Sequence, residues 1–264
     1  MHYLSISGIF KNENHWLKEW LDYHLTVGVE HFYLYNNDDD PTESDRILKP
    51  YVEQGLVDNI HAPGAVLQVP CMGNAIRDFH AATHWLAFID LDEFILPRRS
   101  DDIREVLQNY EFYSGLAIHW TIFGSNGHIK RPPNQIDHFL RRAEESFDVN
   151  RHIKSIVRPS LVIPETVNHP HFMGYRSGYA VNEVYRIVDS PFDDYCGNVI
   201  RLNHYRVRSR QDMEEVKIPR KRSDCFLEIE ENYFENYDRN DVYDDEISRR
   251  FGSRKECQGN GVSA

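Results

Sequence analysis

The stretch His84-Trp85-Leu86-Ala87-Phe88-Ile89-Asp90-Leu91-Asp92-Glu93-Phe94-Ile95-Leu96-Pro97 constrains this chain more than any other. Trp85 to Ile89 is a short, unbroken apolar run, the pattern of a strand buried on both faces of a parallel sheet. It stops at three carboxylates, Asp90, Asp92 and Glu93. Ligands of open α/β sheets bind at such strand ends, and charge placed there must be solvated, paired or metal-bound. With period-2 alternation Asp90 and Asp92 project to one side, so two hard oxygen ligands converge. That pattern suits Mg²⁺ or Mn²⁺ carrying phosphate oxygens. A strand followed by an acidic turn gives the same bare triplet; the buried run before it and Phe94-Ile95 after it favour the metal reading.

The preceding residues alternate strand and helix. Leu4–Phe10, His31–Tyr35 and Val57–His61 read as strands. Trp16, Leu17, Trp20, Leu21 and Leu25 recur at helical spacing, with Asn12 or Asn14 available as a cap and Gly28 where a C′ glycine belongs. Arg46–Gln54 is expected to be helical with an interruption near Pro50, and Gly73–Thr83 helical before the Trp85 strand. Such alternation predicts a parallel sheet with crossover helices. After Pro97 the pattern loosens. A helix is expected at Ile103–Tyr110, weak helix at Gln211–Arg220, and strands at Gly115–Phe123, Ile153–Val157, Val181–Val188 and Val199–Tyr205. Phe226–Phe251 is acidic and helical in character, and the Gly/Ser-bearing end is expected to fray. The expectation is a single domain: residues 1–125 as the ligand-binding half with the D-x-D, 126–222 as its second half, 223–264 as a helical C-terminal segment.

At 264 residues the chain is long enough for a substantial core, and its 41% hydrophobic content is that of a globular protein. A net charge of −12 argues against nucleic acid as a partner. Four scattered cysteines without C-x-x-C spacing argue against a zinc site or a redox pair. No apolar run approaches the roughly 20 residues of a membrane span. With no signal-peptide pattern the expected location is cytoplasmic, peripheral contact with a membrane or a lipid-linked acceptor staying open.

Other groups bear two readings each. In Asn36-Asn37-Asp38 an Asp could accept from a ribose hydroxyl or a base N–H, or the segment could be an Asx turn satisfying its own backbone. Lys11, Asn12 and Glu13 are nucleotide contacts or a helix cap. Arg77 could grip a phosphate bidentately, or be a solvated arginine on an amphipathic helix. His204, at the end of a strand, could complete a mixed O/N site with the two aspartates, while Arg206, Arg208, Ser209 and Lys217 behind it could hold a diphosphate. His169 and His171 are a rival pair whose H-x-H spacing on a strand would put both rings on one face. Trp120, Phe123 and Tyr175 are platforms for a sugar ring, or core.

Taken together these residues resemble a glycosyltransferase of GT-A fold, close to the family 2-like and family 92 groups. The matching blocks are Lys11-Asn12-Glu13 with Trp16-Leu17-x-x-Trp20-Leu21-x-Tyr23-His24, Gly28-Val29, and Phe32-Tyr33-Leu34-Tyr35-Asn36-Asn37. Then follow Trp85 to Phe94, Trp120-x-x-Phe123-Gly124-Ser125-x-Gly127, Lys154-Ser155-Ile156-Val157-Arg158-Pro159, Asn203-His204-Tyr205 with Arg208-Ser209, and Asp238-Arg239-Asn240. They run in order over nearly the whole chain. One departure is the segment Gln211 to Arg220, where the resemblance leads one to expect an aromatic residue followed by Lys and Arg-Gly.

The resemblance implies a Rossmann-like mixed, mainly parallel sheet flanked by helices. It also implies a transferase moving a sugar from a nucleotide sugar, a UDP-sugar first, to a hydroxyl of a glycan or lipid-linked glycan. Asp90 and Asp92 would match the metal motif, with His204 brought to the same Mn²⁺ or Mg²⁺. Lys11, Asn12, Glu13, Asn36, Asp38, Arg77, Asp90 and Lys154 would fall on the nucleotide-sugar side. Trp120, Phe123, Gly124 and Tyr175 would face the sugar or acceptor. Direct displacement with inversion needs a general base, for which Asp148 and Glu183 are the candidates. Two other classes compete: a sugar-binding module of the same fold without turnover, and, third, a metal-dependent phosphoesterase or nucleotidyltransferase. No Gly-rich phosphate loop supports the last.

Overall fold

The computed structural model describes residues 1–220 and 228–252. Its first half repeats one unit, a strand and then a helix covering it, and all the strands but the polar edge strand Val57–His61 are largely buried. The strands are β1 (His2–Phe10), β2 (His31–Asn36), β3 (Val57–His61) and β4 (Thr83–Phe88). The helices between them are α1 (Asn14–Thr26), α2 (Thr42–Glu53) and α3 (Gln68–Phe79). All four strands pair in parallel, in the order β4-β1-β2-β3. α1 buries Trp16, Leu17, Trp20 and Leu21 against the main core, which also takes Trp85 from β4. Gly28 ends that helix with φ +99, the left-handed conformation a C′ glycine supplies. The cap is not an asparagine: Glu13 stands at the N-cap without a side-chain cap bond, because its carboxylate is engaged elsewhere. α2 runs through Pro50, which removes the bond to the Arg46 carbonyl without ending the helix, and α3 begins at Gln68 and ends at Phe79.

The second half completes a mixed sheet. Strand β5 (Glu93–Pro97) follows β4 after a tight turn, then come α4 (Ile103–Leu107), β6 (Gly115–Ile122), the short β7 (Arg141–Arg142) and β8 (Ile153–Val157). β8 lies antiparallel between β4 and β6. The expected strand Val181–Val188 is instead two pairs of residues, β9 (Ala180–Val181) and β10 (Ile187–Val188), because the chain reverses where Asn182 caps a tight turn through Tyr185 at φ 63. β11 (Ile200–His204) pairs antiparallel with β5 and parallel with β6. A helical run then joins α5 (Arg210–Asp212), a π-helical turn at Met213–Lys217 and α6 (Ile218–Arg220), and continues through Pro219.

The C-terminal part is less helical than its composition suggests. Its described residues form α7 (Tyr233–Tyr237), β12 (Val242–Tyr243), which pairs with β7, and α8 (Glu246–Phe251). The start of the expected helix at Phe226 and the Gly/Ser end lie outside the described residues. Among the described residues no helix is long and apolar enough to cross a membrane.

Candidate active site

β4 stops at Phe88, so Asp90 to Asp92 form a turn and not a strand extension. The alternation that was to aim both aspartates to one side therefore does not operate. The turn is anchored by tertiary contacts instead. The Asp90 N–H donates to Glu93 Oε2 (2.8 Å), Arg208 donates to the Leu91 carbonyl (2.9 Å), and Tyr205 N–H donates to the Asp92 carbonyl (2.8 Å). Arg208 is itself fully buried, ion-paired with Glu13 and lying over the Trp16 ring. One side chain thus ties the β1–α1 junction, the acidic turn and the segment after β11 together.

A cleft of about 210 Å³ opens over this turn. Its walls include Lys11, Glu13, Asn37, Gln68, Asp90, Asp92, Trp120, Lys154, His171, His204, Arg206, Lys217, Arg220 and Tyr233. Asp90 accepts from Lys154 Nζ (2.8 Å) and from Gln68 Nε2 (2.8 Å). Asp92 Oδ2 lies 2.5 Å from Lys217 Nζ, and its Oδ1 lies 3.6 Å from His204 Nε2. Behind them Glu93 is fully buried, with its Oε1 3.8 Å from His204 Nδ1 and neither atom hydrogen-bonded. The register sets this contact, since His204 stands opposite Glu93 across the β5–β11 ladder.

The electrostatics separate the three carboxylates. Burial works against an ionised Asp92, but Lys217, then His204 and Arg208, outweigh it and hold its carboxyl well below the usual range. Burial pushes Glu93 up to about 8, against the pull of Lys154. Burial also lowers His204 to about 4, so its ring is neutral and able to ligate. The donor set fits a divalent cation only in part. Asp92 Oδ1 and His204 Nε2 face each other on the cleft wall, a mixed O/N pair suited to Mn²⁺. Asp90 has both oxygens occupied, and among the described residues no three such donors gather.

Cations dominate what remains. Lys11 pairs with Asp39 (2.6 Å), and Arg220 shares Glu13 with Arg208 (2.5 Å to Arg220). Among the described residues Arg206 has no carboxylate partner: its guanidinium lies 3.9 Å from the Tyr237 ring centroid, 5.1 Å from Tyr233 and 5.6 Å from Trp120, with Nε buried and unbonded. Lys217 and Arg220 come from the very segment that departs from the family pattern, and its π-helical turn sets their direction. At the opposite lip Val66 takes φ 55, rare for a β-branched residue, beside Gly64 at φ 138. No expectation covered this turn, although the Pro63-Gly64 pair is a local signal for it; Gln68, Arg220 and Tyr233 had none.

The other singled-out residues lie elsewhere. Asn36 and Asp38 are buried in an Asx turn: Asp38 accepts from the Asn12 N–H (2.6 Å) and Ser44 Oγ (2.7 Å), and Asn36 Nδ2 donates to Ser44 Oγ (2.9 Å). Their neighbour Asn37 reaches the cleft instead. Arg77 is exposed, bonded to Asn74, and nine positions along α3 from Gln68, about 13 Å by helical rise. Phe123 is core against Tyr205, Gly124 is packed where a Cβ would meet the Arg239 carbonyl at 2.4 Å, and Tyr175 lies against Gly115 in a second core cluster. Asp148 is exposed in a 3₁₀ turn. Glu183 is buried, accepting from the N–H groups of Asn198, Val199 and Ile200 at 2.7–3.0 Å, a clamp on the start of β11. Neither lines the cleft. His169 and His171 stand on an irregular segment and not a strand, and only His171 lines the cleft.

Residues 1–251 match the family model described as Glycosyltransferase family 92. Among curated proteins, the chain is 25% identical over 182 residues to Glycosyltransferase family 92 protein Os08g0121900 of Oryza sativa subsp. japonica, covering 67% of this chain and 30% of that protein. It is 24% identical over 214 residues to Glycosyltransferase family 92 protein RCOM_0530710 of Ricinus communis, covering 78% and 35%. The chain therefore spans about a third of the curated relatives it matches. Among solved structures, S. aureus TarS 1-349 in complex with UDP-GlcNAc superposes with a TM-score of 0.41 at 15% identity, over 60% of this chain and 46% of that one.

Proposed function

The chain belongs to glycosyltransferase family 92, and from that premise we propose that its cleft binds a nucleotide sugar, UDP-linked in the first instance, and passes the sugar to a hydroxyl acceptor with inversion. One observation carries the reading. In a protein of net charge −12, the cleft gathers Lys11, Lys154, Lys217, Arg206 and Arg220 around an Asp92–His204 corner, and among the described residues Arg206 has no counter-ion. A dianionic diphosphate is the ligand that such a surplus of positive charge suits.

In the transfer the acceptor oxygen forms its bond to the anomeric carbon as the bond from that carbon to the diphosphate oxygen breaks. The diphosphate leaves with the electron pair, and the acceptor proton passes to a base. Arg206 and Arg220 neutralise the departing charge, and Lys217 holds Asp92 ionised. Asp92 and His204 would hold a divalent cation, which would supply Lewis-acid stabilisation of the leaving group. A reading in which the site binds without turnover draws on a separate observation: Glu13, Asp90 and Asp92 are each committed to a cation, and neither Asp148 nor Glu183 lines the cleft.

Calorimetry of UDP with Mn²⁺, paired with an assay of UDP-sugar hydrolysis, tests both. Binding accompanied by hydrolysis is expected, with Asp92→Asn lowering turnover at least about 100-fold, the scale of losing a charge at a reacting centre. Binding without hydrolysis or transfer favours the module, and undiminished Mn²⁺-dependent turnover in the variant removes the assignment of Asp92.

A further inference from the structure

We propose that His171 reads a hydroxyl of the sugar brought into the cleft, accepting a hydrogen bond at Nε2. This deepens the nucleotide-sugar reading and rests on it. His171 is held at two points by β8: its Nδ1 lies 2.7 Å from the Ile153 carbonyl, and its own carbonyl accepts from Ser155 Oγ at 2.7 Å. A carbonyl can only accept, so Nδ1 bears the proton and Nε2 presents a lone pair. No described residue bonds to that Nε2, and the residue lines the cleft while only 8% exposed. Burial, with Lys154 as the second cause, lowers the imidazolium to about 2, so the ring stays neutral at any working pH.

Neighbouring rings fix the His171 ring: Trp120 meets it edge-on at 4.9 Å between centroids, and His152, stacked on Trp120 at 4.7 Å, lies 5.4 Å from it. An acceptor nitrogen on the cleft wall calls for a donor on the ligand, and a sugar hydroxyl supplies one. A phosphate oxygen cannot donate to Nε2, and a neutral imidazole of such low basicity makes a poor proton acceptor for the transfer itself. Trp120 also touches His204, 4.5 Å between centroids, so the hydroxyl reader stands one ring away from the Asp92–His204 corner.

The test compares UDP with UDP-glucose, UDP-galactose and UDP-GlcNAc by calorimetry on the full chain with Mn²⁺. His171→Asn retains an N–H for the Ile153 carbonyl and deletes the Nε2 acceptor, while His171→Gln keeps a side-chain acceptor of longer reach. The wild type is expected to bind at least one of these sugars more tightly than UDP. In His171→Asn, UDP affinity should hold and the sugar's advantage should fall about tenfold, the worth of one hydrogen bond to a buried group. His171→Gln should retain more of the advantage. An advantage unchanged in His171→Asn, absent in the wild type, or lost together with UDP affinity overturns the assignment of His171 alone. A wild type that binds none of the four ligands overturns the nucleotide-sugar reading and takes this one with it.

Discussion

His24 shows how a single side chain can tie stability to pH in this fold. It is fully buried, with Nδ1 2.8 Å from the Trp20 carbonyl and Nε2 accepting from the Ile95 N–H at 3.3 Å. Burial lowers its imidazolium to about 3, so the folded state holds it neutral while the unfolded chain protonates it near 6.5. A depressed base stabilises the fold above the unfolded pKa, and that contribution is lost as pH falls from about 6.5 towards 3. Between pH 7 and pH 5 the wild type should therefore lose about 2 kcal/mol more unfolding free energy than His24→Asn, read from urea curves at the two pH values. Equal losses in the two chains would show that His24 is not the group responsible. Asp92 is the opposite case, a buried carboxylate kept charged by Lys217 at 2.5 Å, so here the ion pair and not burial decides the protonation state.

At the scale of elements, the π-helical turn Met213–Lys217 does what a regular helix would not. Its extra residue rotates the chain so that Lys217 reaches Asp92 and the Arg206 carbonyl while Glu214 and Glu215 stay in solvent. Replacing Lys217 by Met should keep the turn and remove the cation it delivers to Asp92 on the cleft wall. The expected result is retained far-UV circular dichroism with UDP binding weakened at least about tenfold, the worth of one charge-assisted contact. Undiminished binding would mean that the turn's geometry does not serve the cleft. The β5–β11 ladder acts similarly, because a shift of one residue would turn His204 away from Glu93 and Asp92.

Across the whole molecule the cleft is assembled from both halves of the sheet. Lys11 and Glu13 follow β1, the acidic turn follows β4, Lys154 lies on β8, and His204 ends β11. A ligand held by all of them stabilises the folded chain as one unit. UDP at a hundred times its Kd should add about 2.7 kcal/mol, or roughly 5–10 °C in Tm, and should raise hydrogen-exchange protection in β1 and β11 together. Protection gained in one half only would show that the ligand does not bridge them.

The chain's local pattern is enough to specify the parallel half of the sheet, because strands buried on both faces must be continuous apolar runs and their helices must show a 3.6-residue period. It also marks the acidic turn, Trp120 and His204, and the resemblance adds Lys154, all of which line the cleft. It misplaces what depends on distant partners. β5 is hidden because it follows β4 after only a four-residue turn, so one apolar stretch conceals two strands. Asp38 reads as a ligand-binding carboxylate until Ser44 and the Asn12 N–H are found on it, and Glu183 reads as a base until three backbone N–H groups are seen to hold it.

Sequence by itself thus determined the layered α/β plan and the place where charge interrupts it, since burial and periodicity act over a few residues. Only the tertiary structure decided which charges meet. Arg208 pairs with Glu13 across 195 positions and Lys217 with Asp92 across 125, separations at which no pattern along the chain bears on the contact. The protonation of each buried group follows from those meetings, because desolvation and a neighbouring charge compete at every one of them.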